Sequence, residues 1–436
     1  MRLKQITLAA SSFFFSCHLL GATYAPPELD PFNKPTLFNS IDGMLQPEPA
    51  STQDIKKKLI QEYIKISKLL GLGRIKAATN KLDQLMKQYP QEADFYNLLA
   101  VSDWLKQDYP SATKNYQKAI ELSPNNIRSY MGLATVYLQI GETAKAKKEA
   151  NSALSIDNNS VSAYLVLADV AYKGGDPKEA ERMLVTASKK AKGDSSQEIK
   201  TAIMLVNYYK LQQPKKALSV AQRTNKEHKN NYFVLSLLAK TQMLNKQEEQ
   251  AIVTLEQIIK KESKDVEHRL LLAQLLLKYP EKQKKILKLL DEANKVLPDN
   301  VQVQLQRSGI LKALKLFPDA LQASKEVKVL APESGLGEGL DGAIYYAENK
   351  LDLALAAFQK SYQIKPNAEA LSSIIKVMSA QGKQSAAFVF LEKETKKGKN
   401  NVAAHFLIGD LYLQQNKGAK AEKHYLTVLA KEPVLI

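Results

Sequence analysis

Few residues in this chain have the type and spacing for chemistry. Five histidines and one cysteine occur among 436 residues. His228 and His268 stand in separate segments. Neither sits in the His-Glu-x-x-His spacing that lays two imidazoles on one helix face, and no acidic pair is placed to share a metal with them. His405 and His424 fall on consecutive helical patterns and can face each other, without a third ligand. His18 lies in an N-terminal apolar segment. A serine nucleophile on an α/β-hydrolase elbow would need Gly-x-Ser-x-Gly, which the sequence lacks. The run Gly337-Glu338-Gly339-Leu340-Asp341-Gly342 has the Gly-x-Gly-x-x-Gly spacing that can cradle a pyrophosphate. That chemistry needs a preceding strand and a βαβ unit, and this run lies in a helical register. Its expected effect is conformational. Gly335, Gly337, Gly339 and Gly342 each weaken a helix start by roughly 0.5–1 kcal/mol against alanine, which predicts a local soft point. The sequence therefore assigns no catalytic, cofactor-binding or metal-binding residue, and the chain reads as a non-enzyme.

The elements behind these residues follow one period. Ala78, Ala112, Ala146 and Ala180 each come thirty-four residues after the last. Ala217, Ala251, Ala320, Ala354, Ala387 and Ala421 continue the series, with Ile286 standing in once. Pro90, Pro124, Pro298, Pro332 and Pro366 keep the same beat. A fixed period in this range means stacked copies sharing one core. Within residues 93–126, Tyr96, Leu99, Ala100 and Asp103 recur at helical spacing, a turn follows near Asp108 and Pro110, and Ala112, Tyr116, Ala119 and Ile120 mark a second helix. Ser123-Pro124-Asn125-Asn126 stops it. Each unit is thus a helical hairpin, with small residues at Ala100, Ala112 and Ala119 allowing close approach.

These residues, with Tyr109, and their counterparts Tyr130, Leu133, Ala134, Tyr137, Gly141, Ala146 and Ala153 in the next unit, resemble the tetratricopeptide repeat family. The resemblance implies an all-α fold, a right-handed superhelical solenoid of about eleven hairpins. Units start near Leu59, Ala93, Ile127, Val161, Glu198, Tyr232, Val266, Val301, Gly335, Ala368 and Val402. The unit at Val266 departs most, with Pro280 at its turn and Ile286 for the alanine. In the family, first helices line a concave groove. Carrying those positions over picks out Tyr63, Trp104, Met131, Tyr172, Tyr209, Phe233, Tyr346 and Phe406 as a partner-binding series, joined by Leu165, Met243 and Leu270. Such a groove takes an extended or helical segment of a partner, with rigid aromatics as anchors. Members that clamp a chaperone's terminal carboxylate use lysines and asparagines where this chain has Val101, Thr135 and Asp169, so that activity is not expected.

Residues 1–25 have the pattern of an export signal. Arg2 and Lys4 precede an uncharged apolar run from Ile6, and small residues at Gly21, Ala22 and Ala25 follow. Cleavage after Ala25 meets Pro26, which leaves Ala22 as a second site. Cys17, in Phe14-Phe15-Ser16-Cys17, resembles a degenerate lipobox and is the third possibility, a lipidation site. Residues 26–50 hold six prolines, read as an extended leader. They also hold Phe32, Leu37, Phe38, Ile41, Met44 and Leu45, which could pack on the repeats or on a partner. Ser51 with Asp54 forms a capping box opening the repeat region, residues 51–436.

The formal net charge is +17. Clusters at Lys56-Lys57-Lys58, Lys282 to Lys285 and Lys396 to Lys399 favour anionic lipid, acidic polysaccharide or acidic proteins if they bind anything. Nucleic acid is not expected, since aromatics are not interleaved with the lysines. The chain stops on apolar Val434, Leu435 and Ile436 without a polar cap, which suggests docking on a second copy or a partner. The expectation is a non-catalytic bacterial envelope scaffold, periplasmic or outer-membrane-associated, in exopolysaccharide export, pilus assembly or outer-membrane secretion. The alternative is a basic module for anionic polysaccharide or a membrane surface.

Overall fold

The computed structural model describes residues 54–397 and 401–431. The export signal, Cys17, His18, the proline-rich leader, the Ser51 cap and the apolar end at 432–436 lie outside them. The described chain forms twenty-two α-helices and no strand, paired as eleven hairpins. Residues up to Thr254 make one compact unit and those from Leu255 a second. The first unit holds α1 (Asp54–Gly71) and α2 (Ile75–Gln88), α3 (Ala93–Leu105) and α4 (Tyr109–Leu122), α5 (Ile127–Gln139) and α6 (Thr143–Ile156). It continues with α7 (Val161–Lys173) and α8 (Pro177–Lys190), α9 (Ser195–Tyr209) and α10 (Pro214–Glu227), and α11 (Tyr232–Leu244). Helix α12 (Glu248–Lys261) crosses the division. The second unit holds α13 (Val266–Leu276) and α14 (Gln283–Val296), α15 (Val301–Ala313) and α16 (Phe317–Leu330), α17 (Leu336–Ala347) and α18 (Leu351–Ile364). It ends with α19 (Ala368–Ala380) and α20 (Gln384–Glu394), then α21 (Asn401–Gln414) and α22 (Gly418–Lys431).

Helices this short are marginal alone in water, so caps and packing must hold them. In the second hairpin the Asp108 carboxylate accepts the Ser111 N–H at 3.1 Å and Pro110 fills the first turn of α4, where its missing N–H is not needed. Asn126 starts α5 in the same way, accepting from Arg128 N at 3.1 Å. The periodic alanines sit where helices touch: Ala78, Ala112, Ala146, Ala217, Ala251, Ala320, Ala354, Ala387 and Ala421 have no exposed surface. Ile286 fills the same buried place on α14.

The turn inside each hairpin has its own clock. Gly73, Gln107, Gly141, Gly175, Lys246, Lys315, Asn349, Gly382 and Asn416 all take a positive φ. The residue after each helix flips left-handed so that two orphan carbonyls find donors. After α5, Gly141 N–H donates to Leu138 O at 3.3 Å and Glu142 N–H to Tyr137 O at 2.8 Å. The fifth and seventh hairpins break this rule. The fifth turns through residues 210–213, closed by Gln213 N–H on Tyr209 O at 2.8 Å. The seventh inserts a 3-10 turn at Pro280–Lys282 after a first helix of 11 residues. This is the departure expected around Pro280.

The glycine run is closely packed, which argues against the expected soft point. A Cβ on Gly337 would lie 2.2 Å from Lys328 Cγ and 3.0 Å from the Lys328 backbone N, and one on Gly342 would lie 2.7 Å from the Phe358 ring. The serines on α16 and α18 complete the contact. Ser324 Oγ donates to Gly337 O at 2.8 Å and Ser361 Oγ to Gly335 O at 2.7 Å. The missing side chains let α17 approach both neighbours, and that packing opposes the intrinsic helix penalty.

Candidate binding faces of the first helices

The structure divides the expected aromatic series by burial. Tyr63, Trp104, Met131, Tyr209 and Phe406 are all at most 9% exposed, so they build the core, and their expected place on an open groove is corrected. Leu165 and Leu270 are buried with them, and Met243 is half-buried. Contacts with neighbouring helices explain this. The Arg128 guanidinium lies over the Tyr63 ring at 5.9 Å. Tyr209 Oη donates to Glu181 Oε1 on α8 at 2.7 Å, and Lys216 Nζ reaches that same oxygen at 3.1 Å, so α9 is tied to the preceding hairpin. Phe406 packs on Tyr425 with ring centres 5.7 Å apart. Trp104 belongs to the large cluster running from α1 to α7.

Tyr172 at 66% and Phe233 at 63% remain open, and Tyr346 is half-buried. Residues 54–254 therefore carry two exposed rings on their first helices, at the end of α7 and the start of α11. Tyr208 was not singled out from the sequence, yet it joins them. Its ring meets Tyr172 edge-on at 6.4 Å and Tyr209 at 5.3 Å. Its hydroxyl donates to Pro177 O at 2.5 Å, which fixes the ring. The buried Tyr209 thus supports Tyr208, and Tyr208 supports the exposed Tyr172. One turn before Tyr172, Asp169 is exposed to water on one side, with protein packed around the rest of its carboxyl. That crowding pushes its carboxyl up to about 6, with the Lys173 charge pulling the other way. Phe233 packs edge-on against Tyr232 at 5.5 Å.

Residues 255–431 show another chemistry on their first helices. Lys376 Nζ sits over the Tyr346 ring at 4.8 Å. Burial, and then the charge of Lys376, draw the Lys312 ammonium below the ordinary lysine value. Partial desolvation raises the Glu369 carboxyl, on the same set of helices, although its side chain reaches water. The charged groups of α15 and α19 are therefore mixed, with lysine beside lysine.

His268, His405 and His424 pair with neighbouring side chains. His268 Nδ1 lies 2.7 Å from Asp265 Oδ2, the residue that caps α13, and both side chains are buried. His405 and His424 do face each other, Nδ1 to Nδ1 at 2.9 Å. Burial first, then Lys423, lower the His424 pKa, while Glu392 acts in the opposite direction. Among the lysine clusters, Lys285 pairs with Glu256 and Lys397 with buried Glu394.

Repeat models match three stretches: a TPR repeat over residues 105–141, and tetratricopeptide repeats over residues 127–160 and 208–275. Among solved structures, yeast Tom70 is 14% identical, with 86% of this chain and 92% of that one covered at a TM-score of 0.46. A tetratricopeptide repeat protein from Parabacteroides merdae is 16% identical, covering 58% of this chain and 99% of its own, at 0.45. YrrB, a TPR protein with an unusual peptide-binding site, is 21% identical over 44% of this chain and 96% of its own, at 0.32. No curated protein sequence matches the chain.

Proposed function

We propose, for a chain that belongs to the tetratricopeptide repeat family, that it is a non-catalytic scaffold holding a partner protein against the first helices of residues 54–254. The observation that carries this reading is the exposure of Tyr172 and Phe233 while the other large rings of that unit's series are buried. Covering one such ring recovers about 1.5–3 kcal/mol of apolar transfer, enough to make it an anchor. A partner's extended or helical segment would lay apolar side chains on these rings. The crowded Asp169 beside Tyr172 favours a donor or cation on that segment.

The finer part of the reading is a place in the bacterial envelope, serving exopolysaccharide export, pilus assembly or outer-membrane secretion. The basic, then apolar, then small-residue order of residues 1–25 supports that address. Among the described residues, no helix is long and apolar enough to cross a membrane. Crosslinking in living cells, followed by purification of the tagged protein from the envelope fraction, tests both parts. One or a few envelope proteins should be recovered and then lost with Tyr172→Ala plus Phe233→Ala, while the melting temperature stays unchanged. Retention of the same partners by that double variant would refute the site.

A second reading draws on the neighbouring Lys312 and Lys376. It is binding of anionic polysaccharide or lipid by residues 255–431. Such binding should weaken steeply with ionic strength, whereas contact with the aromatic face should weaken only mildly.

A further inference from the structure

The fifth hairpin contains a cluster that the repeat does not explain. The alanine clock runs thirty-four residues at each step from Ala78 to Ala180, then takes thirty-seven to reach Ala217. Two of the three surplus residues lengthen the first helix, since α9 has 15 residues where α3, α5 and α7 have 13 each, and the third lies in the longer turn at residues 210–213. The start of α9 is capped by Asp194 on the N–H groups of Ser196 and Gln197. This is the end of the hairpin where α10 finishes at Glu227 and His228. Ligand atoms of Glu198, Glu227 and His228 lie within 4.8 Å of one another there.

We propose that Glu198, Glu227 and His228 form a zinc site joining the start of α9 to the end of α10. The geometry supplies both an ordered ligand pair and an entry route. Gly193 N–H donates to Glu198 Oε1 at 2.9 Å, which leaves Oε2 turned to His228 Nε2 at 2.6 Å. A ligating carboxylate held by a backbone donor is the usual support around a metal. The His228 and Glu198 side chains are only 12% and 23% exposed, while Glu227 is exposed and stands where an ion would enter. Zinc bonds run about 2.0–2.2 Å to nitrogen and oxygen. The ion would replace the proton shared by Glu198 and His228, and the pair would open by a fraction of an ångström. One imidazole and two carboxylates suit zinc better than calcium or magnesium, which take oxygen ligands. Three protein ligands leave a fourth position for water. The role is that of a staple: an ion bound only by the folded hairpin stabilises it by mass action.

The test uses the full chain, purified free of metal and carrying His405→Gln and His424→Gln to silence the other histidine pair. Zinc chloride is titrated against a chromophoric chelator, and melting is followed in parallel. The expected result is one saturable equivalent per chain with a raised melting temperature. His228→Gln should weaken binding at least tenfold. Glu227→Gln, an exposed change that leaves the hairpin folded, should do so as well. Absence of saturable one-to-one binding, or an affinity within twofold of the parent in both variants, would overturn the site.

Discussion

The first helices of residues 54–254 offer solvent two aromatic rings, Phe233 and Tyr172, the latter one turn from the carboxylate of Asp169. Those of residues 255–431 offer Lys376 and the partly covered Lys312 around a half-buried Tyr346. The same hairpin serves both units, with the same buried alanines on the second helices. The difference is the one the proposed function rests on. Positions that touch the next helix are set by packing. The few first-helix positions left outside are free to carry partner chemistry. On the proposed reading one unit takes an apolar segment with a donor group, while the other mixes lysines with Glu369 around Tyr346.

The comparison breaks first if a core ring is mistaken for an anchor. Trp104→Ala should cost about 3–5 kcal/mol, because a buried indole leaves a cavity that neighbouring helices cannot close. Hydrogen exchange should show faster amides across the second and third hairpins. A loss below about 1 kcal/mol would mean that Trp104 belongs to the open face. Next in size is the glycine contact of the second unit. Gly342→Ala should cost about 1–3 kcal/mol by driving a methyl group into the Phe358 ring. Amides of residues 335–342 in the parent should exchange as slowly as those of α16 and α18.

A smaller effect sharpens the contrast in charge. Asp169 has a folded pKa of about 6 against an ordinary 3.8, so the folded chain holds the extra proton between these values. Stability is free of this penalty below the ordinary value, declines as pH rises through the window, and stays reduced above it. Asp169→Asn should therefore stabilise the protein at pH 7 by about 1 kcal/mol, after allowance for the solvent-open edge, with no gain near pH 4. Urea unfolding at the two pH values measures this. Smallest for stability is Tyr172→Ala, expected to shift unfolding by less than about 0.5 kcal/mol while removing the partner.

Much of the fold was legible because its signals are local and repeated. A buried small or apolar residue about every thirty-four residues needs no knowledge of the neighbours. The break at Pro280 shows in the sequence because proline cannot continue a ladder. His405 and His424 were placed face to face by hairpin geometry alone. The binding face was less legible. Whether a first-helix ring is open depends on what the neighbouring helices lay over it, and Tyr209 and Tyr172 look alike until Glu181 and Lys216 are found around the former. The glycine run was hard to read because helix propensity describes an isolated helix, whereas here Lys328, Ser324 and Ser361 close on it. Lys246 and Lys315 hold left-handed turns that lysine does not advertise. The Glu198–His228 pair joins residues far apart in sequence, and its one sequence signal was the slip in the repeat clock.

Site-specific photocrosslinking tests the central claim most directly. A photoreactive phenylalanine analogue is placed singly at positions 172, 233 and 376 in living cells. Adducts to the same protein partner from 172 and 233, and none to that partner from 376, are the predicted result. Protein adducts from 376 alone, or none from 172 and 233, would contradict the assignment of the partner to residues 54–254.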